Sequence, residues 1–479
     1  MAELVQETID GKDKEKLRDY PEEKLGEDAR VKREESAEQL IVEPEKSLRA
    51  SIKFIFAGRN YSIYLATAWV YNAFAYMGSF FNLYLRAMGW DFLLIGTVFS
   101  ITAVLASTTR LLGGYVGDLA DRKKLSVIAM FMMAGYYLII GIFTDAFFIF
   151  IGLILLSSFD IVKSGSSAYI MENIPREHSG LALSLFTAGR ILGIGTLLIF
   201  GILSPVIGFP ESFRLIYLAG GILFLFCTVI RARFLTSSVT KKRNTERSVF
   251  RDFIVENRRA AKLLVVSVPG LLSVVVIDSI SDSLFKFGAL IYANEVLMID
   301  ISGINLMLLA TLILSVPLLL KIGRLSDKRG IKRAALLTYG MMPVSAALLI
   351  IAPIIPIWVP ESWYLMIENT VPGFGVLFTT AFVAIVMKFT NDTIWWLVVL
   401  SLIRKNLPTQ DTAKILSIFW VVVYICSSIG PILAGAMFTY LEPNVLFMVI
   451  LVLNLIILIA IGSGRLGENQ KENRQEDVG

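Results

Sequence analysis

Nine ionisable side chains interrupt long apolar stretches of this 479-residue chain. A charged side chain that faces lipid at the centre of a bilayer costs about 2.5 to 3.5 kcal/mol, so these groups must face one another or water. In such a place they can join helices as ion pairs, bind a charged solute or exchange a proton. The nine residues are Arg110, Asp160, Lys163, Arg190, Asp278, Asp282, Lys286, Lys388 and Asp392.

The spacing of seven of these charges places them on three helix faces, because residues three or four apart are neighbours on a helix. Two carboxylates on one face do not both ionise easily, so Asp278 and Asp282 are predicted to carry a coupled proton and to contact substrate. The alternative is that each group is a self-satisfied salt bridge. The three groups are Asp278, Asp282 and Lys286; Lys388 and Asp392; and Asp160 and Lys163.

Two arginines complete the set. Arg190 is predicted to bind an anionic group or to pair with Asp160. Arg110 is interpreted as structural, because it lies only a turn from a glycine-containing link. Gly189, Gly193 and Gly195, which surround Arg190, are expected to permit close helix contact.

The elements that position these charges are membrane helices. The chain is 55% hydrophobic and 18% charged, with a mean hydropathy of +0.68, which indicates a polytopic membrane protein. The apolar runs do not alternate, which excludes a barrel. Twelve helices are predicted, near 61–85, 92–115, 125–144, 147–171, 180–204, 212–231, 263–288, 302–321, 334–354, 376–404, 412–440 and 444–462. Residues 355–378 are treated mostly as an external loop with interfacial Trp358 and Trp363.

The composition divides the chain into five parts. Residues 1–50 are dense in both charge signs and are predicted to be a disordered cytoplasmic tail. Residues 51–231 and 263–462 form two six-helix bundles, and 232–262 is a cytoplasmic linker with an amphipathic helix at the membrane surface. Residues 463–479 form a second tail. Cys227 and Cys426 lie in apolar runs and His178 in a polar link, so no disulfide, metal site or cofactor is predicted.

Basic residues set the predicted orientation. They concentrate in alternate links, among them 122–124, 231–262, 321–333 and 404–405. Links rich in lysine and arginine stay in the cytoplasm, so both termini are predicted to be cytoplasmic in the plasma membrane.

Two of these basic links repeat each other. "GYVGDLADRKK", residues 114–124, follows the second predicted span, and "GRLSDKRGIKR", residues 323–333, follows the eighth. Aligned without gaps, they pair Gly114 with Gly323 and Asp118 with Asp327; a gapped register pairs Asp121 with Asp327 instead. The repeat indicates two six-helix halves that arose by duplication, a construction known in secondary transporters.

Both links resemble the signature loop of the major facilitator superfamily. The second fits at Gly323, Asp327, Lys328, Gly330, Lys332 and Arg333, whereas the first departs at Leu119 and Asp121. The resemblance implies that these loops lock one conformation, with Gly114, Asp118, Asp121 and Arg122 acting in the first copy. It also implies that the first, fourth, seventh and tenth helices line a central cavity, to which Asn72 and Tyr76 of the first helix are added as substrate candidates. The plainer interpretation is that the loops only anchor the protein to an anionic leaflet.

The sequence therefore predicts an all-α polytopic membrane protein with two pseudo-symmetric six-helix bundles. The predicted function is secondary active transport of a small polar or charged solute by alternating access, coupled to proton symport. The alternatives are a proton-driven exporter, a uniporter, or a membrane sensor or scaffold that does not transport. A monomer in a lipid bilayer is expected, with no catalytic role and no nucleic-acid partner.

Overall fold

Helices make up nearly all the regular structure of the chain in the computed structural model. The structure describes residues 48–173, 182, 185–186, 188–237, 249–329, 331–406 and 412–463. Within these ranges there is no β-sheet, only an isolated bridge between Ile357 and Thr379. The all-α fold predicted from the apolar runs is confirmed.

The first part of the described chain contains eight α-helices. Helix α1, Leu48–Ala57, belongs to a compact unit separate from the one that begins at Gly58. In that second unit, a 3-10 turn at Ala75–Phe80 joins the first two helices, and another at Gly189–Leu192 leads into α7. The helices are α2 Arg59–Phe74, α3 Phe81–Ala87, α4 Phe92–Leu119, α5 Arg122–Ile142, α6 Ala146–Glu172, α7 Gly193–Ile207 and α8 Phe209–Phe234.

The second part contains nine α-helices. A 3-10 turn at Phe374–Phe378 follows α13. The helices are α9 Val249–Ser267, α10 Pro269–Glu295, α11 Ile301–Arg329, α12 Ile331–Ile351, α13 Glu361–Thr370, α14 Thr380–Asn406, α15 Thr412–Ser427, α16 Ile429–Tyr440 and α17 Pro443–Gly462. We call α2–α8 the N-half and α10–α17 the C-half.

Many of these helices suit a bilayer. In the described part of the chain, eight helices are long and apolar enough to cross a membrane. A ninth span is obtained if one bent pair of helices is counted as a single span. The segments of that pair, Ile254–Ser267 and Pro269–Glu295, meet at 101°. The chain is therefore a multi-pass membrane protein, and the helix order is consistent with the predicted twelve spans.

One predicted boundary is wrong, and two predicted segments differ in their local structure. The seventh span begins at Pro269 rather than near 263, because proline is favoured at a first helical position and disfavours a helical Val268 before it. The linker helix α9 instead extends to Ser267. The first span contains a 3-10 interval, and residues 355–378 contain the helix α13 rather than mostly loop.

The loop around α13 is closed by a carboxylate. Glu368 accepts the backbone N–H groups of Gly373 at 2.7 Å and Gly375 at 2.8 Å. Gly373 has a φ of +84°, which favours glycine. Trp358 and Trp363 are exposed, as expected of side chains at a membrane interface.

In the part of the chain that the structure describes, one buried apolar core contains side chains of both halves, and it lies at one end of the bundle. We call the end that carries Arg59 and Gly462 the tail side, and the opposite end, which carries α13, the loop side. A single buried cluster at the loop side includes Phe80 and Phe213 of the N-half together with Tyr292 and Phe447 of the C-half.

At the tail side, the described residues form separate buried clusters, although the partly buried Leu111 of the N-half packs against the cluster of the C-half. One belongs to the C-half and contains Tyr339, Trp395 and Phe419. The other belongs to the N-half and contains Leu125, Ala129 and Val162. Among the described residues, the buried cluster that both halves share therefore lies at the loop side.

Polar contacts reinforce the loop-side closure. Arg86 Nε of α3 lies 2.6 Å from Glu295 Oε1 of α10, and Asn82 donates to the carbonyl oxygen of Phe287 at 3.2 Å. Asn305 of α11 donates to the carbonyl oxygen of Leu197 of α7 at 2.9 Å. These contacts join α3 to α10 and α7 to α11 across the two halves.

A glycine permits the closest approach of the halves. A Cβ atom at Gly96 of α4 would lie 2.3 Å from the carbonyl oxygen of Pro431 of α16. Only glycine fits without displacing backbone. Nearby, Ser100 Oγ accepts the backbone N–H of Ile432 at 3.0 Å.

Candidate functional site

The C-half contains an ion-pair chain centred on Asp282. Its Oδ2 lies 2.6 Å from Lys286 Nζ on the same helix, α10, and its Oδ1 lies 3.1 Å from Lys388 Nζ on α14. The side chain of Lys388 is only 2% exposed. One carboxylate therefore joins two helices through two ammonium groups, as the four-residue spacing in α10 allows.

Lys388 has a choice of acceptor. Its Nζ also pairs with Asp392 one turn along α14, and it lies 5.1 Å from the ring centroid of Phe285. The other oxygen of Asp392, Oδ2, is buried without a hydrogen-bond partner among the described residues. A buried acceptor without a partner is costly, and protonation of the carboxyl group relieves that cost.

Asp278 lies apart from this ion-pair chain. Its Oδ1 accepts the hydroxyl of Tyr339 and its Oδ2 accepts the indole N–H of Trp395, both at 2.8 Å. The predicted stripe on α10 is present, but among the described residues Asp278 has hydrogen-bond donors in place of a basic partner.

The hydroxyl of Tyr339 connects Asp278 to a third polar residue. It also lies 3.1 Å from Asn454 Oδ1, which accepts Ser281 Oγ at 2.8 Å. A hydroxyl has one proton, so Tyr339 donates either to Asp278 or to Asn454 at any moment. Protonation of Asp278 would favour the second arrangement.

The N-half places one acid between two bases. Asp160 Oδ1 of α6 lies 3.5 Å from Arg110 of α4 and 3.7 Å from Lys163 Nζ. Arg110 also stacks on Tyr424 of α15, with 4.1 Å between Cζ and the ring centroid. Arg110, interpreted from the sequence as structural, therefore contacts the acid of its own half and an aromatic ring of the other.

Arg190 is not part of that cluster. It makes no ion pair with any residue in the described ranges, so Arg110 occupies the place beside Asp160 that Arg190 was considered for. Arg190 lies in the 3-10 turn that precedes α7 and is exposed. It is near enough to Tyr71 and Tyr76 to interact with them electrostatically.

Glycines on both sides of Arg190 pack against the first predicted span, which consists of α2, the 3-10 turn after it and α3. A Cβ at Gly189 would lie 2.2 Å from the Trp69 ring, and one at Gly193 would lie 2.6 Å from the Tyr76 ring. The predicted close contact is present at these two positions. At Gly195 there is open space instead.

The two first-helix candidates lie on one stripe. Trp69, Asn72 and Tyr76 are three and four residues apart, and the outer two contact the glycines beside Arg190. Asn72 is half-buried between them and therefore faces the Arg190 segment.

The residues predicted to act in gating lie mostly in helices rather than in loops. Helix α4 continues through Leu119, so Gly114 and Asp118 belong to its last turns, and the link is only Ala120 and Asp121. Asp121 caps α5 by accepting a hydrogen bond from the backbone N–H of Lys123 at 2.9 Å, which satisfies one of the free donors at the start of the helix. Arg122 is the first residue of α5.

The second copy of the predicted gating motif is similar. Helix α11 continues through Arg329 and therefore includes Gly323, Asp327 and Lys328, whose side-chain contacts lie outside the described part of the structure. Gly330 lies outside the described residues. Arg333, in the first turn of α12, is exposed.

Sequence reasoning missed several partners in the site. Tyr339, Trp395 and Tyr424 lie in apolar runs where an aromatic residue is typical of any core. Asn454 did carry a signal, because it is a lone amide in "VILVLNLIILIAIG". Arg231 was counted among surface bases, yet it is buried and donates to Thr67 and Ser126.

No group of three or more metal-ligating His, Cys, Asp or Glu side chains occurs in the ranges that the structure describes. The site is thus built from two charge clusters, one in each half, and an isolated arginine beside the first helix. The clusters can bind charged groups and exchange protons.

Comparisons with known proteins agree with this architecture. The sequence profile of the Major Facilitator Superfamily matches residues 63–394. No curated protein matches the sequence significantly. Solved structures match the fold at low identity, and three are described next.

The nucleoside transporter NupG is 13% identical, with 85% of this chain and 98% of that chain covered and a TM-score of 0.59. The POT family transporter PepTSo is 11% identical, with 86% and 99% covered and a TM-score of 0.62. A POT family transporter in complex with 5-aminolevulinic acid is 13% identical, with 83% and 94% covered and a TM-score of 0.60. At these identities the likeness concerns the fold.

Proposed function

Because the chain belongs to the major facilitator superfamily, we propose that it is a secondary active transporter that moves a small polar or charged solute by alternating access, with proton symport. The observation that carries the coupling proposal is Asp282, which bridges Lys286 and Lys388 on two helices. Two ammonium groups hold Asp282 ionised, so it takes up a proton only when a base moves to another acceptor, as Lys388 can to Asp392.

The ion-pair chain supplies the coupling steps. A proton on Asp282 removes the charge that attracts Lys388, and Lys388 retains Asp392 on its own helix as a partner. The link between α10 and α14 then weakens. Asp278 provides a second carboxyl group on α10, and its protonation frees the Tyr339 hydroxyl to donate to Asn454.

Alternating access is supported by the difference between the two ends of the bundle. The loop side shares an apolar core and cross-half polar contacts, whereas the tail-side clusters are separate. We place the tail side in the cytoplasm of a cell whose plasma membrane contains the protein as a monomer. The basic residues in the tail-side links support that orientation.

The test begins with a ligand. Purified full-length protein is screened for thermal stabilisation by a metabolite panel that includes nucleosides, 5-aminolevulinic acid and dipeptides, because a ligand that binds the folded state raises its apparent stability. The stabilising solute is then followed into proteoliposomes with and without an imposed pH gradient. Proton symport requires accumulation that depends on the gradient.

Two variants test the carriers, Asp278→Asn and Asp282→Asn, with Asp145→Asn as a matched control at an exposed loop-side position. We expect either site variant to reduce gradient-driven accumulation at least tenfold. The reason is that each variant loses a buried charge interaction of about 1.4 kcal/mol or more, which corresponds to a factor of about ten. The control should accumulate solute normally. Unchanged accumulation in both site variants would refute the coupling proposal, and uptake indifferent to the gradient would favour a uniporter.

A further inference from the structure

The acids and bases of the site differ in their exposure at the surface of the protein. The side chains of Lys163 and Lys286 are 47% and 50% exposed, whereas those of their partners Asp160 and Asp282 are 12% and 13% exposed. Arg190 is exposed as well. The remaining two acids, Asp278 and Asp392, are buried.

These exposed bases face the inside of the bundle. Lys286 shares Asp282 with Lys388, which is almost fully buried in the C-half, so the group lies on the inner side of α10. Lys163 lies 5.6 Å from the ring centroid of Phe159, which contacts Tyr71 of the first helix. Neither base is therefore on the outward surface of its helix.

Arg190 is placed by the stripe to which it belongs. About two and three turns after Arg190, Leu197 and Gly201 of α7 both contact Asn305 of the C-half. The lipid-facing stripe is a different one, marked by the exposed Ile191, Ile202 and Val206. Arg190 thus points toward the C-half at a level where no described residue forms an ion pair with it.

We propose that Lys163, Arg190 and Lys286 form a cationic surface that binds the anionic group, a carboxylate or a phosphate, of the transported solute. The proposal rests on the proposed transport function. The nine charges are nearly balanced in number, but burial removes the acids from the water-accessible surface and leaves the bases. Two of these bases belong to the N-half and one belongs to the C-half.

The sign of this surface can be measured without knowing the solute. A cysteine at Asn72, introduced with Cys227→Ala and Cys426→Ser, faces the Arg190 segment. Its labelling rate is measured with an anionic reagent, 2-sulfonatoethyl methanethiosulfonate, and a cationic one, 2-(trimethylammonium)ethyl methanethiosulfonate. The ratio of the rates is normalised to that of free 2-mercaptoethanol. We expect a normalised preference of about tenfold for the anionic reagent, since a cluster of one sign raises local counter-ion concentration by about this factor or more.

Three further variants assign the preference to the named bases. Lys163→Gln and Arg190→Gln should each reduce the ratio about threefold. Arg190→Lys should retain it, because the charge is kept. Lys124→Gln, at an exposed tail-side position, is the matched control and should leave the ratio unchanged.

The last arms separate the two anionic groups. At constant ionic strength, inorganic phosphate or succinate should slow labelling by the anionic reagent, and glycerol should not. Protection by phosphate alone identifies a phosphate site, and protection by succinate alone a carboxylate site. The proposal is overturned by a preference for the cationic reagent, by no labelling with either reagent, or by a ratio that the glutamine variants do not change. It is also overturned if neither anion protects at about 100 mM, a concentration roughly a hundredfold above the Kd of a millimolar site.

The labelling outcome is independent of transport. A protein that fails to respond to a pH gradient but labels as described would retain the cationic surface and lose only the coupling proposal. A protein that transports with a gradient but prefers the cationic reagent would retain the coupling proposal and refute the cationic surface.

Discussion

The two halves use buried charge in opposite ways. Of the nine ionisable residues, the N-half contains one acid and three bases, and the C-half contains three acids and two bases. In the N-half the acid is shared and one arginine has no described ionic partner; in the C-half both bases are bound to acids. The two halves therefore differ in their charge chemistry, which agrees with our proposals that the N-half contributes most of an anion-binding surface and that the C-half handles protons.

The largest expected effect is in the C-half. Lys388→Gln removes the buried base that joins Asp282 and Asp392 and leaves two buried carboxylates without it. We expect the free energy of unfolding to fall by about 3 to 5 kcal/mol, as for other buried pairs that lose one partner. Denaturant unfolding in detergent measures this change.

A charge-matched variant controls for the loss of packing. Lys388→Gln combined with Asp392→Asn removes one base and one acid together and should recover most of the lost stability. If the single variant unfolds like the parent protein, the C-half ion-pair chain does not hold its helices together.

The corresponding change in the N-half should cost less. Asp160→Asn leaves Arg110 and Lys163 without their shared acid, but Lys163 is half exposed and reaches water. We expect a loss of about 1 to 2 kcal/mol in unfolding free energy, because solvent screens a partly exposed pair. The same denaturant unfolding measures it.

This variant also makes an electrostatic prediction. With the acid neutralised, the normalised labelling ratio at the Asn72→Cys reporter should rise, because the N-half becomes more positive. A stability loss equal to that of Lys388→Gln would remove the contrast between the halves.

A third change tests the boundary between the halves. Arg86→Gln removes the loop-side ion pair with Glu295, whose members are about one third exposed. Such a pair contributes about 0.2 to 1 kcal/mol, enough to shift a two-state equilibrium up to about fivefold toward a loop-side opening. Spin labels on α3 and α10 report the shift as an increased population of longer distances.

The control for this change is Arg214→Gln, a loop-side arginine that donates to a carbonyl oxygen within its own half, that of Ile142. It should leave the distance distribution as in the parent. Identical distributions for Arg86→Gln and the parent would show that the apolar core alone closes the loop side.

Much of the fold could be predicted because it depends on local pattern. Apolar runs of membrane length identified the helices, and four-residue spacing placed Asp282 and Lys286 in contact. The start of α10 was misplaced because apolar residues continue across Val268 into α9, and only the effect of Pro269 on its neighbour separates the two helices.

The partners across helices could not be predicted. That Arg110 rather than Arg190 lies beside Asp160 depends on where α4 and α6 meet, which the sequence of either helix does not specify. Trp395 and Tyr339 donate to Asp278, yet their spacing is that of ordinary core residues. Exposure, on which the cationic surface depends, is likewise a property of the packed bundle.

The smallest expected effect concerns the residues outside both halves. If function resides in the two sets of charges, deletion of residues 1–47 should leave solute flux in proteoliposomes within about twofold of the parent, a difference of only ~0.4 kcal/mol in an activation free energy. A membrane scaffold that uses its charged tail to bind a partner would lose its function instead. The deletion therefore separates the transporter from the scaffold, and the control is Lys388→Gln in the same assay, which should abolish flux although the tail is intact. Flux that falls with the tail and survives the loss of Lys388 would contradict the assignment of function to the charges of the two halves.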